Sequence, residues 1–339
     1  MVHIIDKLEV KSIWFRVKST CEKYSSYFQL VKRDYRWPIM FVVARFPVGR
    51  ALGSFFYRDR ALSSQKRSRR YQSEIEKKII GSSDVDRAKN CLSKQESSLF
   101  KDLHTEAVVR SIKEQGYCLG LTLPDSIITE LVKYAQNANL SVDGNKDFSF
   151  KYKDKNIAAA QYERQILIGN YLEVNAECSA MQNLSKDPKL REIAAEYLGK
   201  EPVLVRSQMG WTFVGDRQAY AQKGEIGSPT VSFHYDLDDY RALKFFFYLT
   251  DVDSFSGSHR CIAGSHKKRG MIHYFLRSQS DQKLADYYGQ ENMIEICGQT
   301  GFGFAEDPFC FHRGSPPSKA PRLMIQLEYA LNDYGMWEI

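Results

Sequence analysis

The sequence predicts an α+β fold, in which a helical first part is followed by a β-rich second part. Apolar residues recur at helical spacing between residues 105 and 199, and short apolar runs separated by loops replace them from residue 203 onward. The composition agrees, because 43% hydrophobic and 13% aromatic residues in a chain of 339 can form a large core. We expect the strands to form a sandwich or a barrel.

Residues that typically begin or end helices locate the predicted helices and strands along the sequence. Residues 105–114 predict a helix that ends near Gly116, and residues 117–123 predict a short strand. A second helix begins at Pro124, and a further helix is predicted over residues 187–199, opened by Asp-Pro and closed by glycine. The β-rich part has predicted strands at residues 203–205, 211–214, 242–249, 294–297 and 323–327.

The positive charge of the chain is concentrated at its beginning. Residues 1–80 hold 18 Lys+Arg and 7 Asp+Glu, a balance of +11, whereas the whole chain has +7. We predict a basic, aromatic-rich and helical extension with its connector over residues 1–100, and a second domain over residues 101–339. The extension could pack on that domain as a helical layer with a basic outer face, or it could contact an anionic membrane or a protein partner.

Composition also limits the environment and the partners. No apolar run reaches the roughly 18 residues that a membrane span needs. Seven cysteines without a C-x-x-C pair indicate reduced thiols and a cytoplasmic protein, with Cys261 and Cys310 as small buried residues. The part of the chain after residue 80 has no positive excess, so a nucleic-acid partner is not expected.

Three features of the β-rich part suggest a metal centre. His234 and Asp236 are two residues apart, which on a strand places both side chains on one face. His312 follows an apolar run, and Arg322 opens a later strand. Two histidines and one carboxylate form the facial triad that holds Fe(II) and leaves positions open, and arginine suits the carboxylate of an oxoacid bound there. Each residue alone has an ordinary structural explanation, so the argument depends on the combination.

Longer segments around these residues resemble a known family. The stretch LKFFFYLTDVDSFSGSHRCIAGSHK over residues 243–267 is similar to the phytanoyl-CoA dioxygenase superfamily of Fe(II)- and 2-oxoglutarate-dependent oxygenases. In that family an H-x-D motif is followed by an apolar strand, a loop ending in Gly-Ser-His, a second histidine and an arginine. The same order occurs here, and the resemblance covers residues 104–332.

The resemblance implies a double-stranded β-helix, a jelly-roll or cupin-like barrel flanked by helices, with Fe(II), 2-oxoglutarate and O2 as cofactors. It implies that His234, Asp236 and His312 are the metal ligands and catalytic residues, and that Arg322 binds 2-oxoglutarate. The implied activity is a dioxygenase that hydroxylates an unactivated C–H bond and releases succinate and CO2. The carboxylate of Asp236 argues against halogenation, and Glu328 stands where nucleic-acid demethylases of this fold carry a second arginine.

Other residues near these motifs have two possible roles each. Ser315 and Tyr248 could bind the oxoacid or could be ordinary barrel residues. Gln208 and Trp211 could line the substrate pocket, although Trp211 could equally pack in the core, and His266 is expected to shape a loop beside the site. We expect His259 and His273 to be ordinary loop or surface residues.

The sequence leaves the substrate and two alternative functions open. A small-molecule, carrier-tethered or lipid-like substrate is expected. One alternative is a non-catalytic barrel that binds at a membrane surface, against which the intact triad argues. The other is a cupin-like metalloenzyme that does not use 2-oxoglutarate, against which Arg322 argues.

Overall fold

A computed structural model describes residues 98–142, 144–215, 220, 232–236, 239, 241–269, 273 and 278–331. The predicted helices of the basic extension lie outside these residues. In the described part, no helix has the length and apolar character that crossing a bilayer requires.

The α+β prediction is confirmed, since helices dominate the first part of the described chain and strands dominate the second. The helices are α1 (Thr105–Gln115), α2 (Asp125–Asn137), α3 (Lys155–Gln161), α4 (Val174–Glu177), α5 (Ser179–Ser185), α6 (Pro188–Leu198) and α7 (Asp281–Tyr288). Short 3-10 turns lie at Tyr152–Asp154 and Gln290–Asn292. The strands are β1 (Tyr117–Thr122), β2 (Asn139–Val142), β3 (Asn145–Lys151), β4 (Ile168–Asn170), β5 (Val203–Thr212), β6 (Phe233–His234), β7 (Ala242–Tyr248), β8 (His259–Ile262), β9 (Ser278–Gln279), β10 (Met293–Ile296), β11 (Phe302–Glu306), β12 (His312–Gly314) and β13 (Arg322–Ala330).

The strands form two antiparallel sheets. The large sheet has eight strands in the order β1-β11-β7-β13-β5-β4-β2-β3, and the small sheet has five in the order β10-β8-β12-β6-β9. From β5 to β8 the chain alternates between the two sheets, and it alternates again from β10 to β13. Residues close in sequence therefore lie on different sheets, and the histidines of the predicted triad lie on neighbouring strands of the small sheet.

The central strand β7 is buried on both faces, which explains its continuous apolar run. Phe245 and Phe247 point to the helix side and join the main hydrophobic core. Lys244, Phe246 and Tyr248 point to the other side, where Phe246 packs on the ring of His259 in the small sheet. The second face of the large sheet therefore meets the strands that carry the candidate site.

Helix α6 begins where its sequence predicts. The Asp187 carboxylate accepts hydrogen bonds from the backbone N–H groups of Lys189 and Leu190, and Pro188 occupies the first helical turn. At the other end Gly199 adopts a left-handed conformation with φ of 73°. Asp187 also accepts a hydrogen bond from the backbone N–H of Leu99, which ties the start of the described chain to this helix.

Some strands differ from the prediction. The two strands predicted at residues 203–205 and 211–214 are one continuous strand, β5. Its middle looked like a loop because Arg206, Ser207 and Gln208 are polar, but these residues pair in register with β13. Strands β2, β3, β4, β6, β8, β9, β11 and β12 were not predicted. Several of them have only two to four residues, too few to show a period.

Candidate metal centre

The predicted triad comes together at the small sheet. His234 ends β6, and His312 begins β12 as its antiparallel partner in register. Asp236 follows β6 by two residues, and its backbone N–H donates to the carbonyl of Pro308, which fixes the chain after the strand. One ligand atom from each of the three side chains lies within 4.8 Å of the other two, and all three residues are buried.

The histidine rings present the same nitrogen to Asp236. The Nε2 atoms of His234 and His312 lie 3.7 Å and 3.5 Å from its carboxylate oxygens. The Nδ1 atom of His234 lies 3.1 Å from the Ser232 carbonyl, and that of His312 lies 2.9 Å from the Cys310 carbonyl. A carbonyl only accepts, so each Nδ1 carries a proton and each Nε2 is the ring atom that faces the carboxylate.

The charged residues around the triad favour the protonated form of His312 and the ionised form of Asp236. Burial opposes protonation of His312, but the carboxylates of Glu306 and Asp236 outweigh it and raise its pKa. Burial also opposes ionisation of Asp236, but the Lys244 ammonium and His312 hold its pKa well below the usual range. Asp236 is therefore an ionised carboxylate between two imidazoles, a donor set that suits a divalent cation.

Lys244 is a charged residue of the site that sequence reasoning missed. Its Nζ lies 2.5 Å from Asp236 Oδ2 and 3.5 Å from Glu328 Oε2, and its side chain is 4% exposed. The available signal was a lysine inside the apolar run LKFFFYL of β7, where every neighbour is buried. A charged residue in such a strand needs a buried partner of opposite charge.

His259 and Glu306 form a second buried pair beside the triad. His259 Nε2 lies 2.8 Å from Glu306 Oε2, and the His259 ring stacks on that of His312 at 5.7 Å between centroids. Burial lowers the pKa of His259, although Glu306 opposes the shift. The expectation that His259 and His273 are ordinary loop or surface residues is wrong, since both are buried.

Arg322 is buried without a carboxylate partner in the described part of the chain. It begins β13, and its guanidinium donates to the Gly257 carbonyl and, at 3.3 Å, to Thr212 Oγ1. Among the residues that the structure describes, its Nε has no hydrogen-bond partner. Burial lowers the pKa of Arg322, while Tyr248 opposes the shift. A buried guanidinium with unused donor capacity can accept an anion from solution.

Tyr248 and Ser315 lie in the same region as Arg322. The Tyr248 hydroxyl donates to the Ile296 carbonyl and accepts the backbone N–H of His259. Burial raises the pKa of Tyr248 to about 12. Ser315 is buried after β12, and its backbone N–H donates to the carbonyl of Ser258, the neighbour of Gly257.

Each of the three remaining predicted residues has a protein partner. Gln208 donates to Asn170 Oδ1 of β4 at 2.6 Å. Trp211 points to the helix side of β5, where it stacks on Tyr152 and donates to the Tyr171 hydroxyl. Strand alternation puts it on the face opposite Thr212, so it packs in the core instead of lining the site.

His266 contacts the end of α1 instead of the triad. Its Nε2 lies 3.3 Å from the Lys113 carbonyl, and its Nδ1 lies 3.5 Å from Cys310 Sγ. Gly116 lies beside both groups with φ of 89°, and a methyl group there would overlap Cys310. The Gly-Ser-His turn therefore packs on the C-terminus of α1.

The sequence matches no model of a protein family and no curated protein. The chain is similar to several solved structures. One of them is the non-heme alpha-ketoglutarate-dependent epimerase SnoN from nogalamycin biosynthesis, with 14% identity and a TM-score of 0.46, and the match covers 66% of this chain and 82% of that one. HygX from Streptomyces hygroscopicus, solved with nickel and 2-oxoglutarate, has 13% identity, a TM-score of 0.46, and coverage of 67% and 87%. The carbocyclase SnoK has 16% identity, a TM-score of 0.43, and coverage of 69% and 86%.

Proposed function

We propose that this chain is a non-haem Fe(II)- and 2-oxoglutarate-dependent oxygenase that hydroxylates a small-molecule, carrier-tethered or lipid-like substrate. The observation that carries the proposal is the combination of two histidines and an aspartate within 4.8 Å with a buried arginine that has no carboxylate partner in the described residues. The first group fits a divalent cation, and the second fits the far carboxylate of an oxoacid.

The topology supports a double-stranded β-helix for this chain. Strands β11, β7, β13 and β5 are consecutive neighbours in the large sheet, and β10, β8, β12 and β6 are consecutive neighbours in the small sheet. The chain alternates between the two sheets from β5 to β8 and again from β10 to β13, as expected for a jelly roll of two sheets. The histidines then come from the small sheet and the arginine from the large sheet, facing a shared interior.

The residues present fit the metal. His234 and His312 each offer Nε2 with Nδ1 fixed by a backbone carbonyl, and Asp236 offers a carboxylate oxygen. Two imidazoles and one carboxylate with open positions are the ligands that non-haem Fe(II) oxygenases use. Backbone carbonyls are rigid partners, so the rings are oriented before a cation binds.

The residues around Arg322 fit the cosubstrate. A guanidinium binds a carboxylate through two parallel hydrogen bonds, and the buried Nε offers a donor for this purpose. The Thr212 hydroxyl and the Gly257 carbonyl hold the side chain by accepting hydrogen bonds from its guanidinium. Iron with 2-oxoglutarate supplies the oxidising chemistry, while the chain binds, orients and shields the reactants.

Anaerobic titration tests the proposal. We expect Fe(II) and 2-oxoglutarate together, and neither one alone, to produce weak visible absorption in the wild-type protein. In air the same mixture should release succinate, faster when the right metabolite is present. A wild-type protein that binds Fe(II) without affinity for 2-oxoglutarate would contradict the proposal and support the cupin-like alternative.

A further inference from the structure

The interior face of the large sheet carries a row of charges beside the triad. Glu306 of β11, Lys244 of β7, Glu328 of β13 and Arg206 of β5 are cross-strand partners in register. Lys244 and Glu328 are buried, and Arg206 Nε lies 3.6 Å from Glu328 Oε2. Lys244 links this row to the triad through its contact with Asp236.

We propose that Lys244 is a positioning residue that serves as the counter-cation of Asp236. It weakens binding of a bare divalent cation while favouring 2-oxoglutarate, so that the site retains the cation mainly together with its cosubstrate. This inference rests on the proposed function, because it assigns Asp236 to the metal and Arg322 to 2-oxoglutarate.

The first step of the argument is that Lys244 is held beside Asp236. Its Nζ lies 2.5 Å from Asp236 Oδ2, and both side chains are almost fully buried. Glu328, 1% exposed, lies on the other side of the ammonium at 3.5 Å. Because Lys244 lies within a central strand between two paired neighbours, its ammonium cannot move into water without breaking these contacts.

The second step concerns the sign of the effect on each ligand. An ammonium next to a metal-binding carboxylate repels a cation of charge +2 and attracts an oxoacid of charge −2. The two effects nearly cancel when the cation and the oxoacid bind together. Lys244 therefore weakens binding of the cation alone and has little net effect on binding of the cation and 2-oxoglutarate together.

The third step weighs this repulsion against the alignment of Asp236. The hydrogen bond from Lys244 orients the carboxylate, and loss of such partners usually weakens metal binding about 10- to 100-fold. The Coulomb interaction between an ammonium and a doubly charged cation in a buried site is larger than one hydrogen bond. We therefore expect repulsion to dominate, and removal of Lys244 to tighten binding of the bare cation.

Mn2+ titration of the full-length protein, read from the paramagnetic resonance signal of the free aqua ion, tests the inference. The variants are Lys244→Met and, as a matched control, Lys189→Met, whose ammonium pairs with Glu192 on α6. We expect Lys244→Met to bind Mn2+ alone at least ~10-fold more tightly, and 2-oxoglutarate in the presence of Mn2+ at least ~10-fold more weakly. Lys189→Met should match the wild type in both.

Opposite changes in two affinities distinguish the proposed role from a structural one, because loss of structure would weaken both. Binding of Mn2+ to Lys244→Met that is unchanged or weaker would overturn the inference. If Lys244→Met does not fold, the double variant Lys244→Met/Glu328→Gln removes both buried charges together. It should change both affinities in the same directions by smaller factors, and absence of tightening there would also overturn the inference.

Failure of the proposed function gives a different result. Asp236→Ala should abolish the Mn2+ binding of the wild type. If Asp236→Ala binds Mn2+ as well as the wild type does, the metal assignment itself is incorrect. If Asp236→Ala loses binding but Lys244→Met shows no tightening, the metal assignment stands and the role of Lys244 is refuted.

Discussion

At the scale of single residues, the three candidate ligands should behave alike. His234→Ala, Asp236→Ala and His312→Ala each remove one of three protein ligands, so each should abolish stoichiometric Fe(II) binding and iron-dependent succinate release. Circular dichroism should show a retained fold. His104→Ala, which changes an exposed histidine, is the matched control and should bind iron normally. Full succinate release by any of the three triad variants would refute the assignment.

Substitution of Arg322 should weaken binding of 2-oxoglutarate and leave binding of the metal nearly unchanged. Arg322→Lys keeps a positive charge but loses the planar fork, so affinity for 2-oxoglutarate should fall about 10-fold or more, consistent with ~1.5–3 kcal/mol for hydrogen bonds to charged groups. Iron binding in the absence of 2-oxoglutarate should change little. Calorimetric titration measures both affinities, and an unchanged affinity for 2-oxoglutarate would make Arg322 a structural residue.

Single residues also show what the sequence could and could not predict about the site. The triad was predictable because H-x-D, a later histidine and an arginine follow one another in a recognisable order. Glu306 was not, because its significance comes from strand pairing between β7 and β11. Lys244 was marked as a charged residue inside an apolar run, but the sequence did not identify Asp236 as its partner. Such pairing depends on topology, which residue spacing does not reveal.

At the scale of elements, Asp187 should matter more than an ordinary helix cap. Its carboxylate accepts hydrogen bonds from backbone N–H groups in the first turn of α6 and from the backbone N–H of Leu99. Asp187→Ala loses the cap and leaves the Leu99 N–H without its acceptor, which should reduce the free energy of unfolding by about 2 kcal/mol. Asp187→Asn keeps an acceptor and should lose less. Equal chemical denaturation curves for Asp187→Ala and the wild type would contradict this prediction.

Helix ends and long apolar strands were predictable because their signals are local. Gly116, Asp187 and Gly199 mark helix ends in the sequence, and the structure has them there. The short strands of the small sheet were not predictable, because β6 and β12 have two and three residues. Their conformation is fixed by pairing with strands distant in sequence, which a local pattern does not contain.

At the scale of the whole molecule, the described part of the interior between the two sheets carries five buried charged residues. Asp236, Lys244, Glu306, Glu328 and Arg322 are all buried, and each is costly to bury unless it is paired or binds a ligand. Strand β7, which carries Lys244, has Phe245 and Phe247 on its opposite face, in an apolar core. The larger apolar core therefore lies on the helix side of the large sheet, and the candidate chemistry lies on its other side, beside a smaller apolar cluster.

The relation of the basic extension to the rest of the chain remains a prediction, and a truncation can test it. The shortened chain should begin at Ser98, because Leu99 donates to Asp187 and Phe100 stacks on Phe247 with 5.6 Å between ring centroids. We expect the extension to pack through its aromatic residues, with a basic outer face. The chain 98–339 should then unfold at a lower temperature than the full chain, and the full chain should not bind anionic vesicles. If the shortened chain is equally stable and the full chain binds such vesicles in a salt-dependent way, the extension is a membrane-binding arm instead.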